Sequence, residues 1–319
     1  MAEKGGVGCE GSRRDWLRNA AGLLWPGCLL ARDEDAVDVE LPAMATRFRV
    51  TCHGPKAKVD AVLQSCLKLL NELEASMSDY HPNTELMRLC APGRKMPVAV
   101  SAPLFEVLES ALQMAELSQG AFDPTCGHLT HLWRRAKRNG TLPPPQRLRQ
   151  ALDATDWKRV RLQRDGRLVW LEPGTLMDLG GIAKGDAAQR CVQRFREAGL
   201  AQVAVQAGGD TVLGQAPPGR EGWEVRLRWS ATQERALTVK EMAVSTSGDL
   251  HQFVELEGKR YSHILSPRDG LGLPVGRTAS VIAPRGAVAD ALATAACVLG
   301  REEAQRMLGT QPGLQLLWP

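Results

Sequence analysis

Asp290 and Thr294 sit four residues apart in the run ADALAT at 289–294, so on a helix they share one face. A carboxylate and a hydroxyl are hard oxygen donors of the kind Mg²⁺ takes, a cation that leaves other positions to water and phosphate. Taken alone, the pair is better explained by a plainer arrangement: Asp290 complements the positive end of a helix while Thr294 packs. A second candidate is DLGGIAKG at 178–185, which reads as strand end, glycine turn and helix start. Glycines let the backbone approach a ligand closely, and amides at a helix N-terminus attract anions. Lys184 adds a formal positive charge there, so a phosphate has a physical rationale. The spacing is neither a P-loop nor a dinucleotide fingerprint, and an ordinary turn accounts for it about as well.

Further polar groups stand at chain punctuation points. In GAFDPT at 120–125, Asp123 or Thr125 either lines a site or caps the helix that follows. Thr246-Ser247-Gly248-Asp249 and Tyr261-Ser262-His263-Ile264 flank a short strand. His263 fits a general base, a ligand contact or a plain strand-end histidine. Gly208-Gly209-Asp210 follows a strand and permits close backbone approach, as simple turns also do.

The elements that must hold these residues follow from periodicity. Residues 47–52 alternate as a half-buried strand. Val59, Val62, Leu63, Cys66, Leu69, Leu70 and Leu73 recur at helical spacing, predicting a long amphipathic helix that ends near Tyr80. Ser101 with Pro103 predicts the capped start of a helix reaching about Leu117. NGTLPPP at 139–145 reads as a loop. Strands are expected at 159–163, 168–171, 203–205, 223–227, 254–256 and 278–282, with helices at 184–198 and 287–299 and a short helix and strand at the end. Strands and helices mix without βαβ alternation, which favours α+β over a doubly wound sheet.

The 319 residues can bury one large core or two closely packed lobes. Net charge is +4 with no block of five like charges, which argues against nucleic acid as the main partner. No apolar run is long enough to span a bilayer. Ser12-Arg13-Arg14-Asp15-Trp16-Leu17 places paired arginines ahead of an uncharged run at 20–31. Residues 1–31 therefore read as a twin-arginine export signal, implying a periplasmic protein whose domain spans 38–319. Trp25-Pro26-Gly27-Cys28 is a poor match to a lipoprotein site. The cysteines at 9, 28, 52, 66, 90, 126, 191 and 297 follow no metal or disulfide spacing, and those of the mature region suit buried small hydrophobes.

The ordered set of motifs resembles the FAD:protein FMN transferases, the ApbE-type flavin transferases. The likeness begins at Met44-Ala45-Thr46 and Ser78-Asp79-Tyr80 and continues through GAFDPT, DLGGIAKG and Gly208-Gly209-Asp210. It then takes in STSGD at 245–249, YSHI at 261–264 with Pro267-Arg268, and ADALAT, covering nearly the whole mature chain. The resemblance implies an α+β fold of mostly antiparallel sheets flanked by helices, with FAD in a cleft between two lobes. It implies Tyr80 against the isoalloxazine ring, and Met44, Asp123, Thr125, Lys184, Gly208, Ser247 and Asp249 along the dinucleotide. Asp290, Thr294 and the Ala183 carbonyl would hold Mg²⁺, and His263 matches the histidine linked to activity. The implied reaction moves FMN from FAD to a threonine hydroxyl of an acceptor protein, which for exported members is a respiratory membrane redox protein. Water as acceptor (an FAD pyrophosphatase) and a non-catalytic flavin-binding protein are the alternatives. The chain departs from the pattern at Asp186 and Gln189, where tyrosine and aspartate are usual, at Ala45 for glycine and at Asp269 for threonine.

Overall fold

The computed structural model describes residues 27–30, 36–230, 232–249 and 253–319. Its first strands are β1 (Gly27–Leu30), β2 (Val37–Ala43), β3 (Thr46–Cys52), β4 (Val98–Ala99), β5 (Val160–Gln163), β6 (Leu168–Leu171), β7 (Val203–Ala207) and β8 (Asp210–Leu213). They continue with β9 (Trp223–Arg228), β10 (Glu234–Val239), β11 (Ala243–Ser247), β12 (Phe253–Leu256), β13 (Lys259–Ser262), β14 (Ala279–Ala283) and β15 (Gln315–Leu317). The helices are α1 (Lys56–Met77), α2 (Glu85–Leu89), α3 (Ala102–Leu117), α4 (Gly127–Asn139), α5 (Pro145–Asp153), α6 (Ala183–Glu197), α7 (Gly286–Leu299) and α8 (Arg301–Leu308).

A seven-stranded antiparallel sheet in the order β15-β14-β11-β8-β7-β3-β2 is the centre of the molecule. Successive side chains on a strand face opposite ways, so β7 sends Val203, Val205 and Ala207 into the core shared with α1, α6 and α7. Ala204 points to the other face, where Leu30, Trp223, Val225 and Leu227 of the β1-β9-β10 sheet cover it. Covering on both faces explains why β7, β8 and β14 are buried at every position. Val160, Val169 and Leu171 of the β4-β6-β5 sheet join the same main core. The architecture is α+β with mostly antiparallel sheets.

All seven apolar positions expected on the first long helix are buried on α1. That helix stops at Met77, short of Tyr80, because Ser78 turns to extended backbone. The Ser101 hydroxyl accepts from Leu104 N–H at 3.4 Å and caps α3 as expected. The expected loop at 139–145 is shorter than its composition suggests: left-handed Gly140 (φ 68°) ends α4, and Pro145 opens α5. The cysteines at 52, 66, 90, 126, 191 and 297 are free thiols. The paired arginines and most of the expected signal lie outside the described residues. Its end, Gly27–Leu30, pairs antiparallel with β9.

Candidate active site

Two glycines set the distance between the two candidate motifs. A Cβ added to Gly185 would lie 2.2 Å from the Gly286 carbonyl oxygen, and one on Gly286 would lie 2.0 Å from that of Gly185. The starts of α6 and α7 thus touch backbone to backbone, which only glycine permits. Across this contact Gly185 N–H donates to the Asp290 carboxylate at 3.1 Å. Gln189, one of the departures noted above, accepts from Gly286 N–H at 3.1 Å, and Asp186 pairs with Arg190. Gln189 therefore serves the helix junction, while Asp186 is taken up by a pair within α6.

The Lys184 ammonium, with three donors to place, reaches Asp210 at 3.2 Å, Asp290 at 3.3 Å and the Gly180 carbonyl at 3.0 Å. Asp210 and Asp290 are both nearly buried, and Ser245 donates its hydroxyl to Asp210. Burial pushes the Asp290 carboxyl up to about 7, and nearby Asp210 adds to the rise against the pull of Lys184 and Gly185 N–H. Burial works against the Lys184 charge, but the two carboxylates more than offset it and hold the ammonium above its ordinary range. Two buried carboxyl groups thus share one ammonium, and burial beside Asp210 disfavours the charge on Asp290.

One turn along α7, the Thr294 hydroxyl lies 3.2 Å from that of Ser247, and a Cβ on Gly181 would come within 3.4 Å of it. The glycine turn and the Asp290/Thr294 face therefore form one surface, with Gly180 exposed and Gly181, Lys184, Ser247 and Thr294 half-buried above Asp290. Gly208 (φ 63°) makes the β7–β8 turn that delivers Asp210. Ala183 is buried at the first position of α6. Asp290 and Thr294 present a carboxyl and a hydroxyl oxygen from one face of α7, hard donors of the kind a divalent cation takes. Among the described residues no three His, Cys, Asp or Glu side chains converge as a metal cage. A cation here would complete its shell with hydroxyl, backbone, water or phosphate oxygens.

Behind this surface stands the GAFDPT turn. The Asp123 carboxylate accepts from Thr125 N–H at 2.8 Å, Thr125 O–H at 2.6 Å and Trp157 N–H at 3.0 Å. Burial raises its pKa, partly offset by those donors. Pro124 accepts from Asp178 N–H at 2.8 Å, and the Phe122 ring would meet a Gly181 Cβ at 3.3 Å, so this turn buttresses the glycine turn. Asp249 is buried and accepts from Gly276 N–H at 3.2 Å, holding the loop before β14. Met44 and Ala45 form the two-residue β2–β3 turn, both at positive φ (49° and 56°), and Met44 N–H donates to Glu74 at 3.2 Å. His263 is exposed just after β13.

Tyr80 is 65% exposed. The Arg134 guanidinium lies 4.0 Å over its ring, and Arg134 also pairs with Asp79 and, at 3.8 Å, with Asp178 of the glycine turn. Sequence reasoning places Asp210 within Gly208-Gly209-Asp210 without giving it a role, and does not single out Arg134. Arg134 carries no readable signal, since it lies in a basic stretch (RRAKR at 134–138) that resembles a solvated helix face.

The α+β scaffold thus brings a glycine-turn lysine, buried carboxyl groups and a hydroxyl to one surface, with amides of a helix start beside them, chemistry that suits an anionic ligand. The ApbE family model matches residues 44–318, and the chain belongs to that family. It is 35% identical over 292 residues to the FAD:protein FMN transferase of Treponema pallidum, covering 85% of this chain and 80% of that one. Against the FAD:protein FMN transferase of Salmonella typhimurium it is 28% identical over 307 residues, covering 91% and 87%. Among solved structures, the ApbE protein of Thermotoga maritima superposes with a TM-score of 0.78 at 27% identity, covering 88% of this chain and 93% of that one.

Proposed function

We propose that this protein is a transferase that moves FMN from FAD to a threonine hydroxyl of an acceptor protein, with AMP leaving. The observation that carries this reading is the meeting of the Lys184 glycine turn with the Asp290/Thr294 face on one open surface. The relatives named above support the donor and the transfer. The acceptor oxygen forms a bond to the FMN phosphorus, the bond to the AMP oxygen breaks, and the threonine proton passes to a base, for which His263 is the candidate. Such transfers depend on alignment and charge stabilisation more than on covalent help from the protein.

Asp290, Thr294 and the Ala183 carbonyl would hold Mg²⁺, which when bound neutralises charge on the pyrophosphate and the departing AMP. Lys184 and the amides at the start of α6 hold the phosphates. Gly208, Ser247 and the turn that Met44 makes line the dinucleotide. Asp123, Thr125 and Asp249 act by fixing the loops around it. Tyr80 offers the exposed ring on which isoalloxazine stacks. No helix among the described residues is long and apolar enough to cross a membrane. Export through the paired arginines at 13–14 would deliver the protein to the periplasm, to meet a respiratory membrane redox protein as acceptor.

The test is incubation with FAD, Mg²⁺ and a threonine-bearing acceptor domain, read as covalent flavin fluorescence on the denatured acceptor. Transfer in the presence of Mg²⁺ and its loss on chelation are the expected results. Rapid FMN release with no labelled acceptor would instead assign water as the nucleophile. His263→Ala should cost about 10²–10⁴ in rate with a modest loss of FAD binding; wild-type kinetics would move the base elsewhere.

A further inference from the structure

Tyr80 follows the end of α1, outside any helix or strand, where an exposed aromatic would ordinarily sample several orientations. Here it is held. Arg134 from α4 places its guanidinium carbon over the ring, 4.0 Å from the centroid. The guanidinium is in turn fixed on both sides. Asp79, whose side chain is only 6% exposed, accepts from Nη1, and Asp178 lies 3.8 Å from Nη2. His131 adds a further contact to Asp79 at 3.4 Å. Asp178 also accepts from Gly180 N–H at 2.7 Å, so one chain of contacts runs from the glycine turn through Arg134 to the Tyr80 ring. Arg134 covers one ring face, while the residue remains 65% exposed.

We infer that Arg134 is a positioning residue for the flavin donor: it clamps Tyr80 to the glycine turn and leaves one ring face as a fixed stacking platform. This deepens the reading of Tyr80 as the isoalloxazine contact and rests on it. Two carboxylates face the guanidinium, so its charge is already answered within the protein. Arg134 acts through the ring and not by pairing with the FAD phosphates. The planar group is what the role requires, because an ammonium satisfies the carboxylates without covering a ring.

The experiment measures FAD binding to the full chain by flavin fluorescence quenching, together with kcat and KM for transfer. Arg134→Lys keeps a cation for Asp79 and Asp178 and so protects the fold. It should weaken FAD binding about fivefold or more, within the range of a lost stacking contact, raising KM with little change in kcat. Wild-type affinity in this variant overturns the inference. Arg134→Met in wild-type and Tyr80→Ala backgrounds completes a double-mutant cycle. The effect of Arg134→Met should vanish once Tyr80 is gone. A loss that persists in the Tyr80→Ala background means that Arg134 meets FAD directly, and overturns the clamp. If Tyr80→Ala itself binds FAD as tightly as wild type, the stacking role of Tyr80 fails first, and the inference with it.

Discussion

Asp290 and Asp123 are both motif carboxylates, both nearly buried, and both raised in pKa chiefly by burial. Their partners differ. Asp123 takes two of its three donors from Thr125, two residues away, and the third from Trp157; all are closed inside the protein. Asp290 is met by Lys184 and Gly185, more than one hundred residues away, and shares Lys184 with Asp210. The first carboxylate is spent on the shape of a turn. The second shares one ammonium with another buried carboxyl group, beside the half-buried hydroxyls of Ser247 and Thr294. Burial alone does not separate the two carboxyl groups; where their partners come from does.

The largest expected effect falls on the open cluster. Asp290→Ala should reduce FMN transfer by about 10³ or more in a metal-buffered assay while the circular dichroism spectrum stays native. Unchanged transfer would place the cation elsewhere. Asp123→Ala should do the reverse. It orphans two buried N–H groups and a buried hydroxyl, at a cost of about 2–4 kcal/mol in denaturant unfolding, with FAD affinity far less affected than in Asp290→Ala. Equal damage to binding would merge the two classes.

A pH series sharpens the contrast with a third carboxylate. Burial pushes Asp79 upward, but hydrogen bonds from His131 and Arg134 outweigh it and hold its pKa below the ordinary value. Its contribution to stability is therefore present above the unfolded pKa, about 3.9, and is lost as pH falls through the folded one. For Asp123 the folded pKa is raised, so stability falls as pH climbs from the unfolded value through the folded one. In unfolding measured from pH 7 to 3, the advantage of wild type over Asp79→Asn should shrink on acidification. Relative to Asp123→Asn, wild type should instead gain. Parallel curves would remove the electrostatic distinction. The smallest effect is expected at Ala45→Gly, which relieves a left-handed alanine in the β2–β3 turn and should stabilise by about 1 kcal/mol. No gain in melting temperature would mean that the turn carries no strain.

Parts of the fold were legible for different local reasons: the apolar face of α1 recurs at helical spacing, Ser101 with Pro103 marks a capped helix start, and β7 and β14 are short apolar segments. Strand β10 escaped because no position along it is buried, so no alternation against a core exists. Helix α5 buries only Ala151 and was hidden behind prolines that open it. In the site, the glycine turn before Lys184 and the four-residue spacing of Asp290 and Thr294 were visible as patterns, with ordinary structural readings open for both. The meetings of Lys184 with Asp210 and Asp290, and of Arg134 with Asp79, join residues distant in the chain, and local pattern does not encode them.

The contact between Gly185 and Gly286 has a consequence for what the site accepts. Because main chain meets main chain there, the gap between the anion-holding turn and the carboxylate face cannot be widened or narrowed by side-chain rotation. It behaves as a fixed gauge. Under the proposed reading, a diphosphate held at the turn, with a cation between it and Asp290, would span both jaws, whereas a monophosphate would engage only one, so the pair of glycines would select by length before any base or ring is read.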